Sequence, residues 1–132
     1  MQLVCDLLSD INKDLNTLKQ HSDNTYLRNL FKYALMPEYK FLLPEGAPPF
    51  KTNQQTSAQL HGAMWGVCKK LYIFARADMK QLQRESLFVT SLEGVSAEEA
   101  AVLLAIKDQT LDNIYHNITY DNINQTIPGW LS

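Results

Sequence analysis

Cysteine is scarce in this 132-residue chain: Cys5 and Cys68 stand far apart and fit neither a metal-ligand nor a redox spacing. They read as reduced, partly buried thiols. No run approaches the roughly 18 consecutive apolar residues of a membrane span, so no membrane partner is expected. The opening, Met1-Gln2-Leu3-Val4-Cys5-Asp6, has no basic stretch and meets an acid at once, so no secretory signal is expected. The triplets Asn117-Ile118-Thr119 and Asn124-Gln125-Thr126 then read as chance matches to a glycosylation pattern. There is no phosphate-binding glycine loop and no nucleophile elbow. His21, His61 and His116 are isolated, and no His, Cys or carboxylate pair has metal-ligand spacing. The expectation is a protein that is not an enzyme and carries no cofactor and no metal. A formal net charge of −2 supplies no global field toward nucleic acid or anionic lipid. No repeat with a period of about 20 to 50 residues is present, which excludes a solenoid.

What is present is helical periodicity. The length suits one domain able to bury roughly two thirds of its unfolded surface. The 45% hydrophobic and 20% charged contents are those of an ordinary globular chain. Leu3, Leu7, Leu8, Ile11, Leu15 and Leu18 predict an amphipathic helix over 2–20. The break His21-Ser22-Asp23-Asn24 can cap a second helix that runs to about Leu35 and stops before Pro37. Thr56 to Gln59 resembles a capping box and predicts a helix from Ser57 to Ala75 with Leu60, Met64, Val67, Leu71 and Phe74 inward. Gly62 and Gly66, four apart in it, suggest close approach of another backbone. The segment "KKLYIFAR" is the best rival for a strand. Asp78 can cap a helix to Leu92 with Leu82, Leu87, Phe88 and Leu92 apolar, ending at Gly94. Ser96-Ala97-Glu98-Glu99 is the cleanest capping box and opens a helix with Val102, Leu103 and Ile106 in the core. A turn from Thr110 to Tyr115 follows, and Thr119 can cap a last short helix. The fold class is therefore all-α: a single domain over 1–132, a compact bundle of five to six helices, with a helical pair at 1–36, a long Pro-rich extended connection at 37–56 and a helical core at 57–132.

The connection holds the best local clue to function. "YKFLLPEGAPPF", residues 39–50, carries Pro44, Pro48 and Pro49 beside large apolar side chains. Two uses compete. In one, Tyr39, Phe41, Leu42 and Phe50 lie across the core and the prolines keep the strap extended at low entropic cost. In the other, Pro48, Pro49 and Phe50 stay exposed and dock into a partner. Phe41, Leu42 and Leu43 are consecutive, so at least one faces away from the core.

Charge is unevenly spread. Lys69, Lys70, Arg76, Lys80 and Arg84 face only Asp78 and Glu85 between residues 69 and 85, while the chain from 86 onward is acidic apart from Lys107. Basic side chains interleaved with Tyr72 and Phe74 can hold phosphates and stack bases. The alternatives are pairing with the acidic final third or contact with an acidic protein partner. The short helix "TYDNINQTI" carries Asn122, Asn124 and Gln125, amides able to read adenine edges, but no arginine or lysine.

"LLPEGAPPFK" (42–51), "KKLYIFAR" (69–76), "RESLFVTSLEGVSAEEAAVLLAIKDQTL" (84–111) and "IT…IPGWL" (118–131) together resemble a family of small uncharacterised proteins of T4-like bacteriophages, especially those of marine cyanobacteria. The likeness covers about residues 40–131. It carries no catalytic or binding residue across, and it implies a setting, the cytoplasm of an infected bacterial host. The expected function is that of an accessory protein binding a host or phage protein through Phe41, Leu42, Pro48, Pro49 and Phe50 and through Lys69, Lys70, Arg76 and Lys80. Nucleic-acid binding in phage replication or transcription is the alternative. No feature specifies an oligomeric state.

Overall fold

The computed structural model describes residues 2–132; Met1, part of the amino-terminal helical pair expected at 1–36, lies outside them. Helix α1 spans Val4–Lys13 and buries Val4, Cys5, Leu7, Leu8 and Ile11. It does not continue to residue 20 as its leucine period suggests. Asp14 is extended, and its carboxylate accepts the Asn16 N–H, a local bond that competes with the helical ladder. The chain resumes as a 3-10 helix, Leu15–His21, which keeps Leu18 in the core. Helix α2, Thr25–Leu35, is capped as expected: Asn24 accepts from the N–H groups of Tyr26 and Leu27 at 3.1 Å. Pro37 starts a short 3-10 helix, Pro37–Tyr39.

From Lys40 to Gly62 the chain forms no helix. The capping pair at Thr56 and Gln59 makes both of its hydrogen bonds, yet only a turn follows it. The reason is backbone geometry: His61 and Gly62 both take positive φ, 49° and 76°, which no continuing helix allows. Helix α3 is only Ala63–Cys68, and a 3-10 helix, Leu71–Ala75, replaces both the rest of the expected helix and the strand rival. Gly66 has open space beside it, and a side chain at Gly62 would meet nothing closer than an edge of Trp65 at 3.7 Å. The close backbone approach suggested by these glycines is absent.

Helix α4, Gln81–Glu93, starts after Lys80 rather than from Asp78, which is engaged by Arg76 instead. Its inward stripe is Arg84, Phe88 and Leu92. Two of the apolar residues of this helix lie outside: Leu82 is 83% exposed and Leu87 38%. Gly94 does end the helix. Helix α5, Ala97–Asp108, has the full reciprocal box between Ser96 and Glu99. A 3-10 helix, Leu111–Asn113, leads to α6, Tyr120–Thr126, capped by Thr119.

α5 is the axis of the bundle. It packs against α1, α2 and α4 and buries Ala100, Val102, Leu103, Ala105 and Ile106, while Ala97, Glu98 and Ala101 form its exposed side. The fold is thus all-α, with six α-helices and four 3-10 helices among the described residues. A lone parallel bridge between Asn53 and Ser96 is the only β pairing among them. The accessible surface of 7103 Å² matches the roughly 7,100 Å² expected of a compact monomer of this mass. The long connection therefore lies against the body instead of standing off it.

Candidate functional site

The connection is held down by polar side chains of α4 and α5. Lys107, 1% exposed, donates to the Pro44 carbonyl at 2.7 Å and pairs with Asp108. Asp108 accepts the Gly46 N–H with its other oxygen. Glu93 accepts the Lys51 N–H at 2.7 Å, and its carbonyl takes the Asn53 amide. The Ser57 and Ser96 hydroxyls meet at 2.7 Å. Each bond satisfies a strap group that has no helical or sheet partner.

The strap's side chains divide between the two uses proposed for them. Phe41 is a core residue at 3% exposure, with ring centroids 5.2 Å from Phe74, 5.8 Å from Tyr33 and 6.2 Å from Phe88. Such tilted and edge contacts add to area burial. Tyr39 and Phe50 are half-buried, and Phe50 packs on the core. Pro48 is half-buried and Pro49 exposed. Leu42 turns outward, 42% exposed.

Leu42 is fixed by Arg84, a residue that sequence patterning treats as a solvated base. Arg84 is 5% exposed and spends its guanidinium on the chain around it. Nε donates to the Leu42 carbonyl at 2.9 Å, Nη1 to the carbonyls of Met79 and Arg76, and Nη2 to Gln81. The Leu42 N–H in turn donates to Phe74 O at 2.9 Å. One buried cation so gathers the strap, the 3-10 helix after α3 and the start of α4. Leu42, Arg76 and Lys80 are exposed, and so is Leu82 in the first turn of α4. The period of Arg84, Phe88 and Leu92 was the signal for Arg84's burial, and the unbroken apolar run before Lys107 was the signal for its own.

The five bases do not form one patch. Arg76 is a bidentate partner of Asp78, which raises the Arg76 pKa and holds the Asp78 carboxyl below the usual range, in both cases first through the hydrogen bonds. Both are exposed, so the pair is screened by water. Lys69 and Lys70 lie apart from it, along a cleft of about 420 Å³ that Phe74 and Ser91 also line. Lys69 Nζ sits 5.1 Å from the Tyr26 ring centroid, a cation–π contact. Among the described residues neither lysine belongs to an ion pair.

The two thiols are free and buried. Desolvation, followed by the charges of Glu98 and Glu99 for Cys5 and of Glu99 for Cys68, pushes each pKa up to about 12. Burial also raises Tyr115, beside Cys5. Both cysteines are thus inert thiols at neutral pH. Glu99 gives one oxygen to the Ser96 N–H, and its other oxygen is buried without a partner among the described residues. In α6, Asn122 donates to Asn117 O and Asn124 accepts the Gly129 N–H, so two of the three candidate base-reading amides are bonded to their own backbone. Among the described residues no three His, Cys, Asp or Glu side chains gather where a metal could be held, and no helix is long and apolar enough to cross a membrane.

No curated protein and no solved structure matches the chain. Residues 5–113 match a family described as a Family of unknown function (DUF6433), and the helices and strap just described, from Cys5 through the 3-10 helix that follows α5, are those of a member of it: the chain belongs to that family.

Proposed function

We propose that the chain is a phage-encoded accessory protein that acts in the cytoplasm of an infected bacterium by binding a host or phage protein. The phage setting rests on the likeness of residues 40–131 to small proteins of T4-like phages. The binding role rests on one observation: Leu82 is 83% exposed in the first turn of α4. A single exposed leucine is ordinary. Leu42 is exposed as well, and Arg84 holds its backbone in place with a part-buried hydrogen bond. Exposed leucines together with exposed bases such as Lys80 are residue types that an apolar interface centre and a polar rim use. Lys80, which joins no ion pair among the described residues, favours a partner that presents acidic residues around an apolar anchor.

Nucleic-acid binding has less support. Arg76 is matched by Asp78, and the amides of α6 are turned to their own backbone. The test is affinity capture from infected-cell lysate with the wild type, Leu82→Asp and Leu42→Ser. One specific protein should be retained by the wild type and lost by both variants, whose melting curves stay unchanged. Equal capture by all three removes the leucines from the interface. A salt-dependent DNA shift that disappears in Lys69→Glu/Lys70→Glu would instead favour the alternative.

A further inference from the structure

Helices α1 and α5 turn charge to water: Asp6, Asp10 and Lys13 are exposed on the first and Glu98 on the second. α4 differs. Its exposed residues before the last one are Gln81, Leu82, Gln83, Ser86, Leu87 and Thr90, and none is charged. A solvated helix face ordinarily carries charged side chains. Leu82, Ser86 and Thr90, four apart, form one row along the helix. The Thr90 hydroxyl donates to Ser86 O at 3.0 Å, so its bond is made within the helix. Exposed charge stands at the two ends. Lys80 precedes the helix and Glu93 is its last residue, and neither joins an ion pair among the described residues.

We infer that this face of α4 pairs with the same face of a second copy of the chain, antiparallel about a two-fold axis at Ser86. In such a contact residue i meets j and j meets i. Leu82 and Thr90 stand equally far from Ser86, about 6 Å along the helix, so Leu82 of each copy lies level with Thr90 of the other. Ser86 faces itself, and its small side chain lets the two helices approach. Lys80, six positions before Ser86, comes within about one residue of the level of Glu93, seven positions after it. The two-fold makes that pair twice. This match of sign selects a second copy: α4 carries at its acidic end the counter-charge for its basic end, at the spacing the symmetry requires. A face about 20 Å long lies at the small end of specific interfaces, so the pairing is reversible. The inference starts from the exposed Leu82 on which the binding role also rests, and gives that leucine an occupant while the other protein is away.

The experiment is sedimentation equilibrium of the purified full chain at concentrations up to about 1 mM, the weak end of specific association. The weight-average mass should climb from 15.1 kDa toward twice that value, and less steeply at high salt. Ser86→Arg, at an exposed position, should keep the melting temperature and hold the mass at 15.1 kDa. Lys80→Glu should weaken the dimer about tenfold, since two pairs are lost at once. With oxidised glutathione, Ser86→Cys should cross-link to its own copy and Ala101→Cys, exposed on α5, should not, because a disulfide needs Cα atoms within about 7 Å. The native thiols are buried and take no part. A mass that stays at 15.1 kDa, a dimer unchanged by Ser86→Arg or by Lys80→Glu, or equal cross-linking of the two cysteine variants overturns the pairing. The lysate capture is a separate reading: its failure leaves the dimer standing, and a chain monomeric throughout leaves the capture standing.

Discussion

The ammonium of the buried Lys107 and the carbonyl of Pro44, an exposed residue of the strap, meet at 2.7 Å across 63 positions of sequence. A buried lysine is stable only with partners, and here they are the strap and Asp108. Lys107→Met should therefore destabilise the fold by about 2–3 kcal/mol, chiefly by leaving the Pro44 carbonyl without its donor. Urea unfolding measures the loss, and amide exchange at Gly46 should speed up with it. Unchanged stability would mean that the strap does not need this anchor.

Arg84 makes a similar prediction with a sharper geometry. Its guanidinium serves four acceptors at once, and an ammonium cannot span them. Arg84→Lys should cost about 2 kcal/mol or more despite keeping the charge. Thermal melts decide it. A neutral result would make the guanidinium a spectator.

Phe41 and Pro49 separate the core use of the strap from the exposed one. Phe41→Ala should destabilise by about 3–5 kcal/mol, the usual loss for a buried phenylalanine. Pro49→Ser, on the exposed side, should stay within about 1 kcal/mol. Equilibrium denaturation of both variants provides the comparison.

The buried thiols predict an alkaline limit. A cysteine whose pKa rises from 9.0 to about 12 on folding binds its proton more firmly in the native state. Its stabilisation is complete below pH 9 and is lost as pH climbs from 9 toward 12, because the unfolded chain releases the proton first. With Cys5 and Cys68 together the slope should reach about 2.7 kcal/mol per pH unit in that window. Urea midpoints between pH 8 and about 11 should fall accordingly, and less steeply in a Cys5→Ala/Cys68→Ala protein. A thiol reagent at neutral pH should label neither cysteine until the protein unfolds.

Local rules made much of the fold legible. The Ser96 box, the apolar run after it, Asn24 before α2 and Thr119 before α6 each specify a helix start through a bond within three residues. What escaped depends on longer reach. The apolar character of Leu82 does not say which way it faces: α4 packs through only one stripe, and a buried arginine occupies part of it. A sound capping pair at Thr56 and Gln59 does not reveal that His61 and Gly62 will turn the chain five residues on. Charge counting finds Lys69, Lys70, Arg76 and Lys80 as a group. Only the fold sends the first two to one cleft and pairs Arg76 with Asp78.

Trp130 lies outside the stretch matched to the family, yet its indole N–H donates to Ser22 O, its carbonyl accepts from Arg28, and its ring stands 6.1 Å from Phe31. Leu131 beside it is buried. During synthesis the groove along α2 must consequently stay open until this segment has emerged from the ribosome. A nascent chain stalled before Trp130 would offer that unsealed groove to chaperones.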